Sequence, residues 1–304
     1  AMGTLVSVSG LGRTQDCVEE AIGRAFAEMD RLIGIFSRFD GASALTALND
    51  AGRLEGPPPE LSYVVSRALR YHAITGGAFD ISVEPLVNLF RECLSGVRPA
   101  APSDAEIRDV LALVDARHVA ASPRRIRFGK PGMGVTLDGI AKGYIVDAMA
   151  GTLARSGVRR FLINAGGDIR TAGAREDGRP WTIGVRDPWA SGDFPDAIHL
   201  TDAAVATSGG YEIYFDRDRR FHHIVDATTG RSPNRCAGVS VIAPTAMAAD
   251  ALATAGVGMA PALGLVLVES LAGCECLILD PDGRQRRSTG WRSAMPQTRT
   301  ETER

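Results

Sequence analysis

The chain has 304 residues, 45% of them hydrophobic and 23% charged, enough to bury a sizeable core as one large domain or two intimate ones. A formal net charge of -2 and an isoelectric point near 6.3 leave no basic excess to offset phosphates, and aromatics at 6% offer little surface for base stacking. Both values argue against nucleic acid as the main partner.

Taken in chain order, Thr4–Ser9 alternates like a strand, and Gln15–Phe36 carries apolar residues at helical spacing, at Val18, Ile22, Phe26, Met29 and Ile33. SRFDGASALTALND reads as a turn followed by a short helix that Ser43 can cap. GPPPELSYVVSRALRYHAITGG is a proline-led helix stopped by Gly76-Gly77. After Phe79–Phe90 a Pro/Ala-rich connection, Val97–Ser103, is the best linker candidate, Ala105–Leu113 looks helical and His118–Phe128 looks like a hairpin. The stretch from Thr136 to Ile169 is expected to supply a strand, a helix and a strand. From Trp181 onward strands dominate: WTIGVRD, AIHLTD, AVATSG, YEIYFD, FHHIVDA and AGVSVIA. Helices at Ala246–Gly256 and near Ala260–Glu269 precede a CLILD strand, and the end of the chain is polar. Helices beside long antiparallel runs favour an α+β fold over a doubly wound sheet. One domain over residues 2–290 and a disordered tail over 291–304 are the expected organisation.

The five cysteines form no even disulfide framework. Cys274 and Cys276 alternate on an expected strand and read as small core residues, not metal ligands. The longest apolar stretch, near Gly256–Val268, is broken by Pro261 and glycines, so no transmembrane run is present. No signal peptide is visible before Thr4, which leaves a cytoplasmic protein or the mature part of an exported one.

Several constellations carry chemistry. In TLDGIAKGYIVD a Gly-containing turn opens a helix with Lys142 one turn inside, and a following strand ends in Asn164-Ala165-Gly166-Gly167-Asp168. Free N–H groups and the helix dipole attract anions at such a place. Lys142 can neutralise a phosphate or a ring carbonyl, or be an ordinary helix-surface lysine; Asp147 can equally be solvated. Asp250 and Thr254 lie four apart on an Ala-rich helix and share a face, which suits Mg²⁺ with its remaining positions open to water and phosphates. The plainer alternative is a surface Asp and a packing Thr. Of the adjacent His222 and His223 at most one can enter a given site from a strand, and His223 is the better candidate for a general base. Thr75-Gly76-Gly77-Ala78-Phe79-Asp80 leads a Gly-rich turn to a carboxylate that can contact a ligand or cap the turn. Thr207-Ser208-Gly209-Gly210 suits phosphate contact or a hairpin. Standard nucleotide, zinc-hydrolase and serine-hydrolase fingerprints are absent.

Read in order, these segments resemble the ApbE family, the FAD:protein FMN transferases. The matching motifs are MGT at 2–4, SRFDGASALTALN, TGGAFDISVEPL, LDGIAKGYIVD, LINAGGDI, AVATSGGYEIYF, HHIVDATTG and the AADALATA helix. They cover nearly the whole chain, to about Asp280. The resemblance implies a T-fold-like α+β architecture with a deep flavin cleft. It also implies Mg²⁺-dependent cleavage of the FAD pyrophosphate, with FMN passing to a Thr or Ser hydroxyl of a target flavoprotein and AMP leaving. FAD contacts would be Met2, Phe39, Ala78, Phe79, Asp80, Lys142 and Ile224; the metal would take the Gly139 carbonyl and the side chains of Asp250 and Thr254. His223, in an H-x-x-D context with Asp226, would be the catalytic histidine.

One departure is Thr136, where many members carry Asp; this chain has its carboxylate at Asp138. The family's usual setting implies a respiratory or electron-transfer acceptor, a membrane-associated partner, and a periplasmic or cell-envelope location, with a cytoplasmic member as the alternative. Two rival activities share these residues in part: a Mg²⁺-dependent FAD pyrophosphatase releasing FMN and AMP, and a non-enzymatic flavin carrier. The carrier would have no use for Asp250 and His223.

Overall fold

The computed structural model describes residues 3–94, 101–189, 194–211, 214 and 221–295. The first part of the chain forms β1 (Val6–Leu11), α1 (Gln15–Phe36), α2 (Ala44–Ala51), β2 (Arg53–Glu55), α3 (Pro59–Ile74), α4 (Glu84–Leu94), α5 (Asp104–Leu111), β3 (Val119–Ala121) and β4 (Arg125–Phe128). Next come α6 (Ala141–Arg155), β5 (Arg160–Ala165), β6 (Asp168–Ala172), β7 (Trp181–Gly184), β8 (Ala197–Leu200) and β9 (Ala204–Ser208). The last elements are β10 (Gly238–Ala243), α7 (Ala246–Gly258), α8 (Pro261–Glu269), β11 (Glu275–Leu279) and β12 (Gln285–Arg287).

Local chemistry sets most boundaries. The Thr14 and Ser43 hydroxyls cap α1 and α2, accepting from the N–H groups of Cys17 and Thr46 at 3.3 and 3.0 Å. Ser103 and Glu106 close a capping box on α5. Helix α3 begins on Pro59 and ends before a pair of left-handed glycines.

Seven strands pair antiparallel in the order β1-β5-β6-β9-β10-β11-β12. On one face lie α1, α6 and α7. The other face buries Ile169, Val205 and Leu277 against Ile183 and Ile198 of the β7–β8 hairpin and against Trp291. A third apolar cluster joins α4 and α5 to Val225. The architecture is α+β, as expected. Helix α7 is apolar all round except at Asp250 and Thr254, and such a helix is stable only when enclosed. It is enclosed by α6 on one side and by β9 and β10 on the other. Among the described residues no helix is long and apolar enough to cross a membrane.

Four sequence expectations differ from the structure. No strand precedes α6: Val135 bonds through both its N–H and its carbonyl to the Asn49 side-chain amide, at 2.8 and 2.9 Å, and Thr136 N–H bonds to the Ile81 carbonyl. That segment is extended, but a side chain replaces the neighbouring strand. Among the described residues FHHIVDA is likewise no ladder strand; His222 and Asp226 form isolated bridges there, to Tyr214 and Arg231. Trp291, expected at the start of the tail, is instead buried, and its indole N–H donates to Asp196 at 2.9 Å. Asp147 is not solvated: its two carboxylate oxygens accept from Ala246 and Met247 N–H, both at 2.9 Å. Met2, most of YEIYFD, part of the Val97–Ser103 connection and residues 296–304 lie outside the described residues.

Candidate active site

A cleft of about 720 Å³, counting its open mouth, gathers residues from five separate stretches of chain. One wall is the turn after α3, Ala78–Ile81, backed by Val83 and Val87. Opposite are Thr136, Asp138, Gly139 and Lys142 at the entry to α6, the β9 residues Thr207 and Ser208, His223–Val225, and Asp250 with Thr254 from α7. Among the described residues, each sequence-predicted one except Phe39 therefore meets in one place. A wider depression beside β1, lined by Ser9–Leu11, Arg175–Asp177 and Trp181, contains none of them.

The floor of the cleft is built by the contact of α6 with α7. Ile140 precedes α6 without a side-chain cap, so the first N–H groups of the helix need partners from elsewhere. Gly143 N–H donates to Asp250 Oδ2 at 3.0 Å. In return Asp147 of α6 caps the start of α7. A Cβ on Gly143 would lie 2.4 Å from the Ala246 carbonyl oxygen, so only glycine allows the helices this close. A Cβ on Gly139 would fall 3.0 Å from Thr254 Oγ1, which places the Gly139 backbone directly beside that hydroxyl. Thr254 in turn shares a hydrogen bond with Ser208 across 3.3 Å.

Sequence reasoning missed Asp168. It is 1% exposed and 3.2 Å from Lys142 Nζ. Burial, and then the Asp168 charge, push the Asp250 carboxyl well above the usual carboxylate range; Lys142 and the Gly143 N–H act in the opposite direction. A signal for Asp168 did exist. A two-residue Gly-Gly turn pairs Ala165 with Asp168, so an inward Ala165 requires an inward Asp168.

Other candidates take more modest places. The Asp80 carboxylate accepts from Ser82 N–H, Ser82 Oγ and Ala116 N–H at 2.7, 2.5 and 3.1 Å, and lies 3.2 Å from His72 Nδ1, whose proton affinity it raises. It holds the shape of the turn. Asp138 faces the cleft, yet its Oδ2 is bonded to Arg38 Nε at 2.8 Å. Phe39 does not line the cleft; it is 72% exposed, with the guanidiniums of Arg38 and Arg91 4.5 and 5.5 Å from its ring centre. Of the two histidines, His223 lines the cleft while His222 is buried, bonded through Nε2 to the Pro233 carbonyl at 2.9 Å. Burial holds the His222 imidazole below its usual proton affinity. Cys274, just before β11, and Cys276 on it are both buried.

Residues 2–278 match the family model described as ApbE family. The chain belongs to the ApbE family. It is 35% identical over 210 residues to the FAD:protein FMN transferase of Vibrio cholerae, covering 68% of this chain and 63% of that relative. It is 30% identical over 295 residues to the enzyme of the same name from Treponema pallidum, covering 90% and 80%. The chain thus spans less than two thirds of the first relative's length. Among solved structures, the ApbE protein of Thermotoga maritima superposes with a TM-score of 0.84 at 33% identity, covering 95% of each chain. The flavin transferase ApbE of Vibrio cholerae gives 0.78 at 28% identity, covering 94% of each.

The donors at the floor of this ApbE cleft are hard oxygens: the Asp250 carboxylate, the Thr254 and Ser208 hydroxyls, and the backbone at Gly139. No group of three or more His, Cys, Asp or Glu side chains suited to a metal occurs among the described residues. Such a set does not suit a softer transition metal. It fits Mg²⁺, which takes one or two carboxylates and fills its remaining positions with water and substrate phosphates.

Proposed function

We propose that this protein transfers the FMN part of FAD to a threonine or serine hydroxyl of an acceptor flavoprotein. The observation that carries the reading is the convergence of an imidazole, an ammonium and a buried oxygen-donor set in one cleft, from His223, Lys142, Asp250 and Thr254. Phosphoryl transfer asks a protein mainly for positioning and charge neutralisation, and these groups supply both.

In this proposal the acceptor oxygen forms a bond to the phosphorus on the FMN side, and the bond from that phosphorus to the AMP oxygen breaks. His223 takes the proton from the acceptor hydroxyl. Lys142 faces the cleft as a fixed positive charge for the flavin ring or the pyrophosphate. Phe79, Val83, Val87 and Ile224 present apolar surface to a flavin. Asp250 and Thr254, with the Gly139 carbonyl, would hold Mg²⁺, which when bound supplies charge neutralisation to the pyrophosphate and the leaving phosphate. A respiratory or electron-transfer acceptor, with a membrane-associated partner and a cell-envelope location, belongs to the same proposal and is supported by family resemblance alone.

The test is incubation of the purified protein with FAD, Mg²⁺ and an acceptor subunit bearing a candidate threonine. Flavin fluorescence on the acceptor band in a denaturing gel is the expected result. FMN found only in solution would make the protein a pyrophosphatase, and FAD recovered unchanged would make it a carrier.

A further inference from the structure

We propose that Asp168 is a positioning residue that holds the Lys142 ammonium away from Asp250, leaving Asp250 able to ligate a divalent cation. The inference rests on the flavin-transfer reading of the cleft.

Lys142 is the second residue of α6, where the helix dipole opposes a cation. Its charge therefore needs an answer from outside the helix, and two carboxylates are within reach. One is Asp250, which lines the cleft; the other is Asp168, which stands behind it and is not a lining residue. The ion pair is made with Asp168, at 3.2 Å, with the Asp168 side chain 2% exposed and that of Lys142 22% exposed. Asp250 instead takes the Gly143 N–H.

The fold gives Asp168 little freedom to move. Gly166 and Gly167 have φ of 62° and 104°, values that favour glycine, and Gly167 N–H is tied to Asn164 Oδ1 at 3.0 Å. Gly166 N–H bonds to the Leu5 carbonyl at 3.1 Å, and a Cβ on Gly166 would lie 2.2 Å from Thr4 Oγ1. The turn is thus clamped under the start of β1, and Asp168 is its first residue on the inner face. Two buried carboxylates side by side are costly unless a cation answers them. Lys142 is the cation the chain itself provides, and Asp168 decides which carboxylate it answers. Without that anchor the flexible lysine stem would let the ammonium fall onto Asp250 and compete there with the metal.

The experiment uses the purified chain and its Asp168→Asn, Lys142→Met and double variants, with Mg²⁺ binding measured by calorimetry and FAD binding by flavin fluorescence. Asp168→Asn should weaken Mg²⁺ binding about tenfold, the equivalent of one displaced ion pair. The double variant should return to within about twofold of wild type for Mg²⁺ while staying impaired for FAD, because the competing ammonium is gone but so is its contact. Asp168→Glu, which keeps the charge, should stay within about threefold of wild type for Mg²⁺, and serves if the Asn variant does not fold. A merely structural role would leave the double variant no better than Asp168→Asn, and that result overturns the inference. So would Mg²⁺ binding by Asp168→Asn equal to wild type. Failure of the wild-type chain to bind FAD would instead count against the flavin reading itself, and the metal titrations would still judge the placement of Lys142.

Discussion

Replacing Gly143 by alanine should damage this protein, although alanine is the better helix former by about 1 kcal/mol. The new Cβ would meet the Ala246 carbonyl oxygen at 2.4 Å and Met247 Cα at 2.7 Å, about 1 Å short of ordinary contact. These are backbone atoms and cannot rotate aside, so α6 and α7 must separate. Overpacking of this kind costs about 1–3 kcal/mol. Separation also stretches the Gly143–Asp250 bond and the two Asp147 caps, each worth about 1 kcal/mol or more. The net is about 2–4 kcal/mol, or a melting point lower by about 3–6 °C for a chain of this size. Asp250 and Lys142 sit on the two helices that part, so a shift near 1 Å should slow transfer about a hundredfold. Thermal melts followed by circular dichroism and gel fluorescence of the flavinylated acceptor measure the two effects. A Gly143→Ala protein that melts within 2 °C of wild type and transfers at full rate would refute the reasoning.

Asp250→Ala should abolish Mg²⁺-dependent transfer, and His223→Ala should remove transfer while FAD still binds, as read by flavin fluorescence titration. Asp147→Ala should cost about 1–2 kcal/mol, seen in urea melts, because it uncaps two N–H groups at the start of α7. His222 is held neutral by burial, so the unfolded chain binds the extra proton. Stability should therefore fall as pH drops from the ordinary histidine value of 6.5 toward the lowered folded one. His222→Gln, which keeps a donor for the Pro233 carbonyl, should flatten that part of a stability-against-pH curve; an unchanged slope would exclude His222 as its source.

Much of the local structure was legible because it rests on short-range chemistry. Helical periodicity delimits α1, the Ser43 cap marks the start of α2, and the Ala-rich run from Ala246 to Gly256 reads as a helix. Period alone also put Asp250 and Thr254 on one face. Where the sequence reading went wrong, a distant partner had intervened. The Asn49 amide takes the bonds a neighbouring strand would have given Val135, and α7 takes the Asp147 carboxylate, which by pattern could equally have been solvated.

The Thr136–Ile169 stretch suggested an anion site from its glycines, its helix start and its lysine, and the order of motifs identified the family. The sequence by itself determined which residue types were available and which helical faces they share. Only the tertiary structure decided that Lys142 answers Asp168 and that Asp250 caps α6: the first pairing needs β6 beside the start of α6, and the second needs α7 within glycine distance of it. Groups separated by 26 or 107 positions in the chain have no spacing rule; the packing of β6 and α7 against α6 is what makes them neighbours.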